Sequence, residues 1–161
     1  MFQFKIQTGK HPKQTMILGY NLYLAWIILL MDKARIILGK VNIAPLLKVQ
    51  SQFDHALLNT KDQLDRTGAI KLFEMCYELS WKTLKRILEA KGLREVLNPK
   101  DVFRVSADQG LIDNPEEWFA FHETRNLTVH TYNESVAISI FEQLDDFQIL
   151  LSQLVERIST L

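Results

Sequence analysis

The densest chemistry in the chain lies in eight consecutive residues, Arg125-Asn126-Leu127-Thr128-Val129-His130-Thr131-Tyr132. They place a permanent cation, an amide, a titratable imidazole and a phenol side by side. Such a set can hold a phosphate and carry protons; cleaving RNA without a metal, for example, needs a base for the 2′-hydroxyl, an acid for the 5′-oxygen and a cation for the phosphorane. Histidine serves both proton transfers because an imidazole ordinarily titrates near neutrality. Arginine stays charged, and its planar fork matches phosphate oxygens. Asn126 can orient the phosphate or the 2′-hydroxyl, the group that separates RNA from DNA. One such motif supplies a single imidazole, while the reaction uses two proton carriers. A plainer reading of the same residues is a solvated Arg125 and a His130 that caps helix carbonyls through its imidazolium.

Elements on either side must position these groups. Upstream, Asn114-Pro115-Glu116-Glu117 has the form of a helix start. Asn114 suits the cap, Pro115 the first helical position, and Glu117 can close a capping box. Positions 118, 122, 125 and 129 then fall on one helical stripe, so Arg125 shares a face with Trp118 and Val129. An arginine on such a stripe must find a partner or line a cavity, because burying it alone is too costly. His130 falls at or just past the end of this helix, and the next begins near Asn133.

From residue 41 the chain reads as helices in series, with no alternating strand pattern. Pro45 opens a first helix whose apolar positions Leu46, Val49, Phe53, Ala56 and Leu57 recur at helical spacing. A longer second helix spans roughly 67–91, with Ile70, Phe73, Cys76 or Tyr77, Trp81, Leu84 and Leu88 along one side and Gly92 as its stop. Asn98-Pro99 starts a short third helix that Gly110 ends. The motif helix is fourth. A last helix from about Asn133 carries Ala137, Ile140, Phe141, Leu144, Phe147, Leu151, Leu154 and Ile158 in one unbroken stripe. The architecture expected is all-α: an antiparallel four-helix bundle with a short additional helix. Phe73, Leu79 and Trp81 are read as core packing.

Length and charge limit the function classes. One domain is natural for 161 residues, and 47% hydrophobic content is ample for a core. Nineteen basic and nineteen acidic residues cancel, so any polyanion site must be a local patch. Such a patch is offered between residues 82 and 104 by Lys82, Lys85, Arg86, Lys91, Arg94, Lys100 and Arg104, against Glu89, Glu95 and Asp101. Of these, Lys82, Lys85 and Arg86 are the candidate substrate contacts; an ordinary solvated helix face and loop is the other reading. Glu74 and Glu78 need no catalytic role, since a solvated face or ion pairs with Lys71 and Lys82 explain them. The single cysteine, Cys76, excludes an internal disulfide, suits a reducing cytosol and belongs in the core. No cofactor or metal is expected, because His11, His55, His122 and His130 form no metal-ligand spacing with Cys76.

The first forty residues differ from the rest and are read as an N-terminal extension, with the helical bundle over 41–161. Lys5, Lys10 and Lys13 precede an uncharged run from Met16 to Met31. The run is shorter than the roughly 20 apolar residues of a membrane span. Asp-Lys-Ala-Arg follows it, rather than a small-residue cleavage site. It fits a membrane anchor, an extra hydrophobic helix, or translated sequence upstream of a native start at Met31. The third is favoured, which makes the expected location cytoplasmic with no membrane partner.

Arg-x4-His-x-Tyr with a polar residue directly after the arginine resembles the signature of HEPN-domain ribonucleases. In particular the chain resembles the toxin partnered by a minimal nucleotidyltransferase, a family first labelled nucleotidyltransferase substrate-binding protein. The resemblance covers about residues 46–158. Besides the motif it includes Phe73-Glu74, Glu78-Leu79-Ser80-Trp81-Lys82, Asn98-Pro99-Lys100, Gly110-Leu111-Ile112, Trp118 and Tyr132-Asn133-Glu134. It implies a homodimer that joins two motifs at a two-fold cleft, with Arg125, Asn126 and His130 as the catalytic set and RNA as substrate. It also implies a type VII-like toxin–antitoxin pair, in which a nucleotidyltransferase antitoxin adenylylates Tyr132. The older family label implies the alternative, a non-catalytic subunit that presents a substrate to the nucleotidyltransferase.

Overall fold

The computed structural model describes residues 41–93 and 98–161; the expected N-terminal extension and Arg94 lie outside them. Six helices form among the described residues, with no strand: α1 (Ala44–Asn59), α2 (Gln63–Ala90), α3 (Pro99–Asp108), α4 (Pro115–Leu127), α5 (Glu134–Phe141) and α6 (Leu144–Ser159). A single 3-10 turn, Thr128–His130, joins α4 to the corner before α5. The fold is an antiparallel bundle of α1, α2, α4 and the α5–α6 pair, with α3 as the short additional helix.

Local chemistry sets the helix starts. Asn98, Asn114 and Asn133 each cap the helix that follows, accepting from the backbone N–H of Asp101, Glu116 and Ser135, each at 3.0 Å. Asp62 does the same for α2, accepting from Asp65 N–H at 2.9 Å. That cap starts α2 at Gln63, a turn earlier than its apolar periodicity suggests. The capping box expected at Glu117 takes another form: Asn114 donates its side-chain amide to Glu117 Oε1 at 3.2 Å.

The stops at Gly92 and Gly110 have a backbone cause. Their φ angles are +90° and +68°, and each lets the next residue reach back five positions. Leu93 N–H bonds Leu88 O at 2.9 Å, and Leu111 N–H bonds Ser106 O at 2.8 Å. A Cβ added at either glycine would meet nothing within 4 Å, so conformation rather than space demands glycine. Gly92→Ala is therefore expected to destabilise the fold by about 1–2 kcal/mol, the left-handed penalty, measured by urea denaturation.

The core converges on Phe147 of α6. Its ring meets Phe53 of α1 at 5.8 Å, Phe73 of α2 at 4.7 Å, and Trp118 and Phe121 of α4 at 6.1 and 5.1 Å. All are edge-to-face contacts, the arrangement the ring quadrupole favours. Phe103 of α3 stacks on Trp118 with centroids 4.7 Å apart, which fastens α3 to the motif helix. Cys76 is fully buried as expected, and desolvation first, with Asp54 second, pushes its thiol far above the ordinary range. Phe73 is likewise buried, whereas Leu79 and Trp81 pack at the margin of the core.

The last apolar stripe does not make one helix. The chain turns at Glu142 and Gln143 between α5 and α6, where Gln143 N–H bonds Ile140 O, three residues back, at 3.0 Å. Gln143 is tied into this corner by its side chain, which donates to Ser139 O at 2.8 Å and accepts from Thr124 Oγ1 at 3.0 Å. Thr124 is on the motif helix, so the break in the last helix is bonded to the element that carries Arg125.

Candidate active site

Helix α4 ends within its own motif. Thr128 closes it by bonding Arg125 O through its backbone N–H and through its hydroxyl, the latter at 2.8 Å. Thr131 then donates its hydroxyl to Thr128 O at 3.0 Å, and Asn133 N–H donates to His130 O at 3.0 Å. These short-range bonds wind residues 128–133 into a tight corner. Val129 consequently leaves the stripe it was expected to share with Trp118: Trp118 is buried, whereas Val129 is 68% exposed. His130 is exposed beside Tyr132, its Nδ1 3.4 Å from the phenol oxygen. Tyr132 is 85% exposed, so its hydroxyl stands where another protein can reach it.

The far side of the corner is anchored. Glu134, the first residue of α5, accepts from Gln63 Nε2 at 2.7 Å and pairs with Arg66 of α2. Glu134 is half exposed, so the pair contributes modestly. Glu134→Gln is expected to lower stability by less than about 1 kcal/mol, read from thermal denaturation.

Arg125 is half-buried against α2, close enough that its charge acts on Tyr77 and Glu78. It nonetheless makes no ion pair among the described residues. The reason lies on α2, where both oxygens of Glu78 are engaged. Lys82 Nζ lies 2.7 Å from Oε1, and Trp81 Nε1 donates to Oε2 at 2.9 Å. Partial burial acts to raise the Glu78 pKa, but the hydrogen bonds of Lys82 and Trp81 and the charges of Lys82 and Arg125 outweigh it and hold the carboxyl below its usual range. The Arg125 guanidinium is thus without an ion-pair partner among the described residues. Asn126, one residue on, is exposed beside Glu123.

The basic run between 82 and 104 divides in two. Lys82, Lys100 and Arg104 are matched by Glu78, Glu123 and Asp101 at 2.7, 3.0 and 3.2 Å. Lys85 and Arg86 carry no ion pair among the described residues and remain as cations on α2. Of the three candidate substrate contacts, Lys82 is therefore committed to Glu78. The expected pairing of Glu74 with Lys71 is also present, at 2.6 Å.

One pair was not legible in the chain. The Tyr77 hydroxyl lies 2.9 Å from His122 Nδ1, joining α2 to α4 three residues before Arg125. Desolvation first keeps the phenol far above its ordinary pKa; Arg125 opposes that, and Glu78 and Glu123 add to it. The signal available was that His122 stands on the same stripe as Arg125.

Residues 42–160 match the family described as nucleotidyltransferase substrate binding protein like. The chain belongs to that family. The resemblance carried by the motif and its flanking stretches is thereby sustained. Among relatives, a Haemophilus influenzae protein named probable ribonuclease HepT is 38% identical over 95 residues, 56% of this chain. That match spans 65% of the relative's length. A structure from Haemophilus influenzae, described as revealing the fold of a substrate binding domain of a nucleotidyltransferase, matches with a TM-score of 0.67 at 29% identity. It covers 73% of this chain and 98% of the other. A crystal structure from Thermus thermophilus matches with a TM-score of 0.65 at 33% identity, covering 70% of this chain and 98% of that one. Among the described residues, no helix of this family member is long and apolar enough to cross a membrane.

Proposed function

We propose that this chain is a metal-independent endoribonuclease, the toxin of a type VII-like toxin–antitoxin pair, acting as a homodimer and silenced by adenylylation of Tyr132. The observation that carries it is an Arg125 fork with no ion pair among the described residues, followed by an exposed His130 in the tight corner that ends α4. Glu78, on which the Arg125 charge acts, bonds Lys82 and Trp81 rather than Arg125. The name of the 38% identical relative supports the reaction class.

In this reading one His130 removes the 2′-hydroxyl proton, and the 2′-oxygen attacks the adjacent phosphorus. Arg125 takes the growing negative charge on the non-bridging oxygens. The bond from phosphorus to the 5′-oxygen breaks as a second imidazole protonates that oxygen, leaving a 2′,3′-cyclic phosphate and a 5′-hydroxyl. The partner's motif in a two-fold dimer supplies the second imidazole. Two apolar side chains within the motif are exposed, Leu127 at 49% and Val129 at 68%, and a partner subunit would cover them.

The family description and the Haemophilus structure favour a second reading, a non-catalytic subunit that presents substrate to a nucleotidyltransferase. Incubation of the purified dimer with RNA and a chelator separates the two. Cleavage that His130→Ala abolishes supports the enzyme; intact RNA under every condition supports the binding subunit.

A further inference from the structure

The Tyr77–His122 pair is absent from the cleavage scheme above, yet it sits against the same arginine. Tyr77 is buried, and its phenol remains protonated. Its O–H must therefore be spent on an acceptor, because an unsatisfied buried donor is costly. Among the described residues its partner is His122 Nδ1, at 2.9 Å. A phenol that donates to Nδ1 leaves the ring hydrogen on Nε2. His122 is partly exposed, and it stands one helical turn before Arg125 and Asn126 on α4, positions that are neighbours on a helix surface.

We propose that His122 is a phosphate-contacting residue: Tyr77 holds its ring so that Nε2–H donates to a non-bridging oxygen of an RNA phosphate next to the one held by Arg125. Tyr77 is a positioning residue that acts through His122. A role in packing alone would be met by an apolar side chain at 122, and the buried phenol would then lose its acceptor. The site rests on the ribonuclease reading for its substrate class. It goes beyond that reading by assigning a second backbone contact within the same protomer. Along the chain His122 precedes Arg125 and His130 follows it, so the contact would order the strand across the motif before chemistry.

The test uses the full chain with His122→Ala, His122→Gln, Tyr77→Phe and the double variant. Affinity is read by fluorescence anisotropy with a labelled single-stranded RNA carrying 2′-O-methyl riboses, which cannot be cut. Kinetics are read with the unmodified RNA. His122→Ala is expected to weaken binding and raise KM about tenfold while kcat changes less than about threefold, as for loss of one charge-assisted hydrogen bond. His122→Gln, which keeps a donor at the corresponding reach, should stay within about threefold of wild type. Tyr77→Phe should fall between and add nothing in the His122→Ala background. Unchanged affinity in His122→Ala, or a His122→Gln as weak as His122→Ala, overturns the assignment. Should His122→Ala lose its fold, the near-isosteric Tyr77→Phe decides, and wild-type affinity in it refutes the pairing. A wild type that cuts RNA while His122→Ala is unaffected sinks this assignment alone. A wild type that binds RNA without cutting it sinks the ribonuclease reading, and the affinities still judge His122. A wild type that neither binds nor cuts sinks both.

Discussion

His130→Ala is expected to lower the cleavage rate by about 10²–10⁴, the usual cost of removing one general acid–base group. Arg125→Ala should cost a comparable factor of about 10²–10³, as for loss of one donor to a developing oxyanion. Neither change should disturb the fold. His130 is exposed, its side chain 3.4 Å from the Tyr132 hydroxyl, and among the described residues Arg125 makes no ion pair whose loss would strand a buried carboxylate. Circular dichroism and light scattering should therefore report a native, dimeric protein in both variants, with single-turnover cleavage alone affected. Near-native rates in either variant would remove that residue from the mechanism.

Tyr132→Phe is expected to abolish both modification and silencing by the cognate nucleotidyltransferase. In the proposed modification the Tyr132 oxygen would attack the α-phosphorus of ATP, with the phenolic proton lost and pyrophosphate leaving. The acceptor must be accessible, and Tyr132 is 85% exposed on a corner held by Thr128, Thr131 and the Asn133 cap. Each AMP added would put a negative phosphodiester on the residue whose hydroxyl already lies 3.4 Å from His130 Nδ1. In the proposed mechanism that anion competes with substrate phosphate for Arg125. Intact-mass spectrometry after incubation with the nucleotidyltransferase and ATP should show AMP increments on wild type and none on Tyr132→Phe. A Tyr132→Phe protein that is modified and silenced as well as wild type refutes the assignment.

What was legible in the chain was local. Pro45, Asn98-Pro99 and Asn114-Pro115 mark helix starts, and Gly92 and Gly110 mark stops, because caps and left-handed residues act over four or five positions. The pairs Lys71–Glu74 and Lys82–Glu78 were legible for the same reason, lying three and four residues apart on one helix. The break at Glu142–Gln143 was not, since the apolar stripe from Ala137 to Ile158 keeps helical spacing straight through it. The turn shows in the backbone bond from Gln143 to Ile140 and in the Gln143 side-chain bonds to Ser139 and to Thr124, on another helix. Tyr77 and His122 are 45 residues apart. Their contact depends on how α2 crosses α4, and the pattern of either helix alone does not encode that. The same limit applies to the basic run, where Lys100 is matched by Glu123 from a different helix. Counting charges along the chain could not separate Lys100 from Lys85 and Arg86.

The chemistry of the cut ends tests the central claim most directly. Purified protein should be incubated with RNA in excess EDTA and the termini analysed by mass spectrometry. Attack by the 2′-oxygen, with Arg125 and two His130 imidazoles and no metal, must leave 2′,3′-cyclic phosphate and 5′-hydroxyl ends, and both should be lost in His130→Ala. Products with 5′-phosphate ends, or cleavage that EDTA stops, would contradict the account.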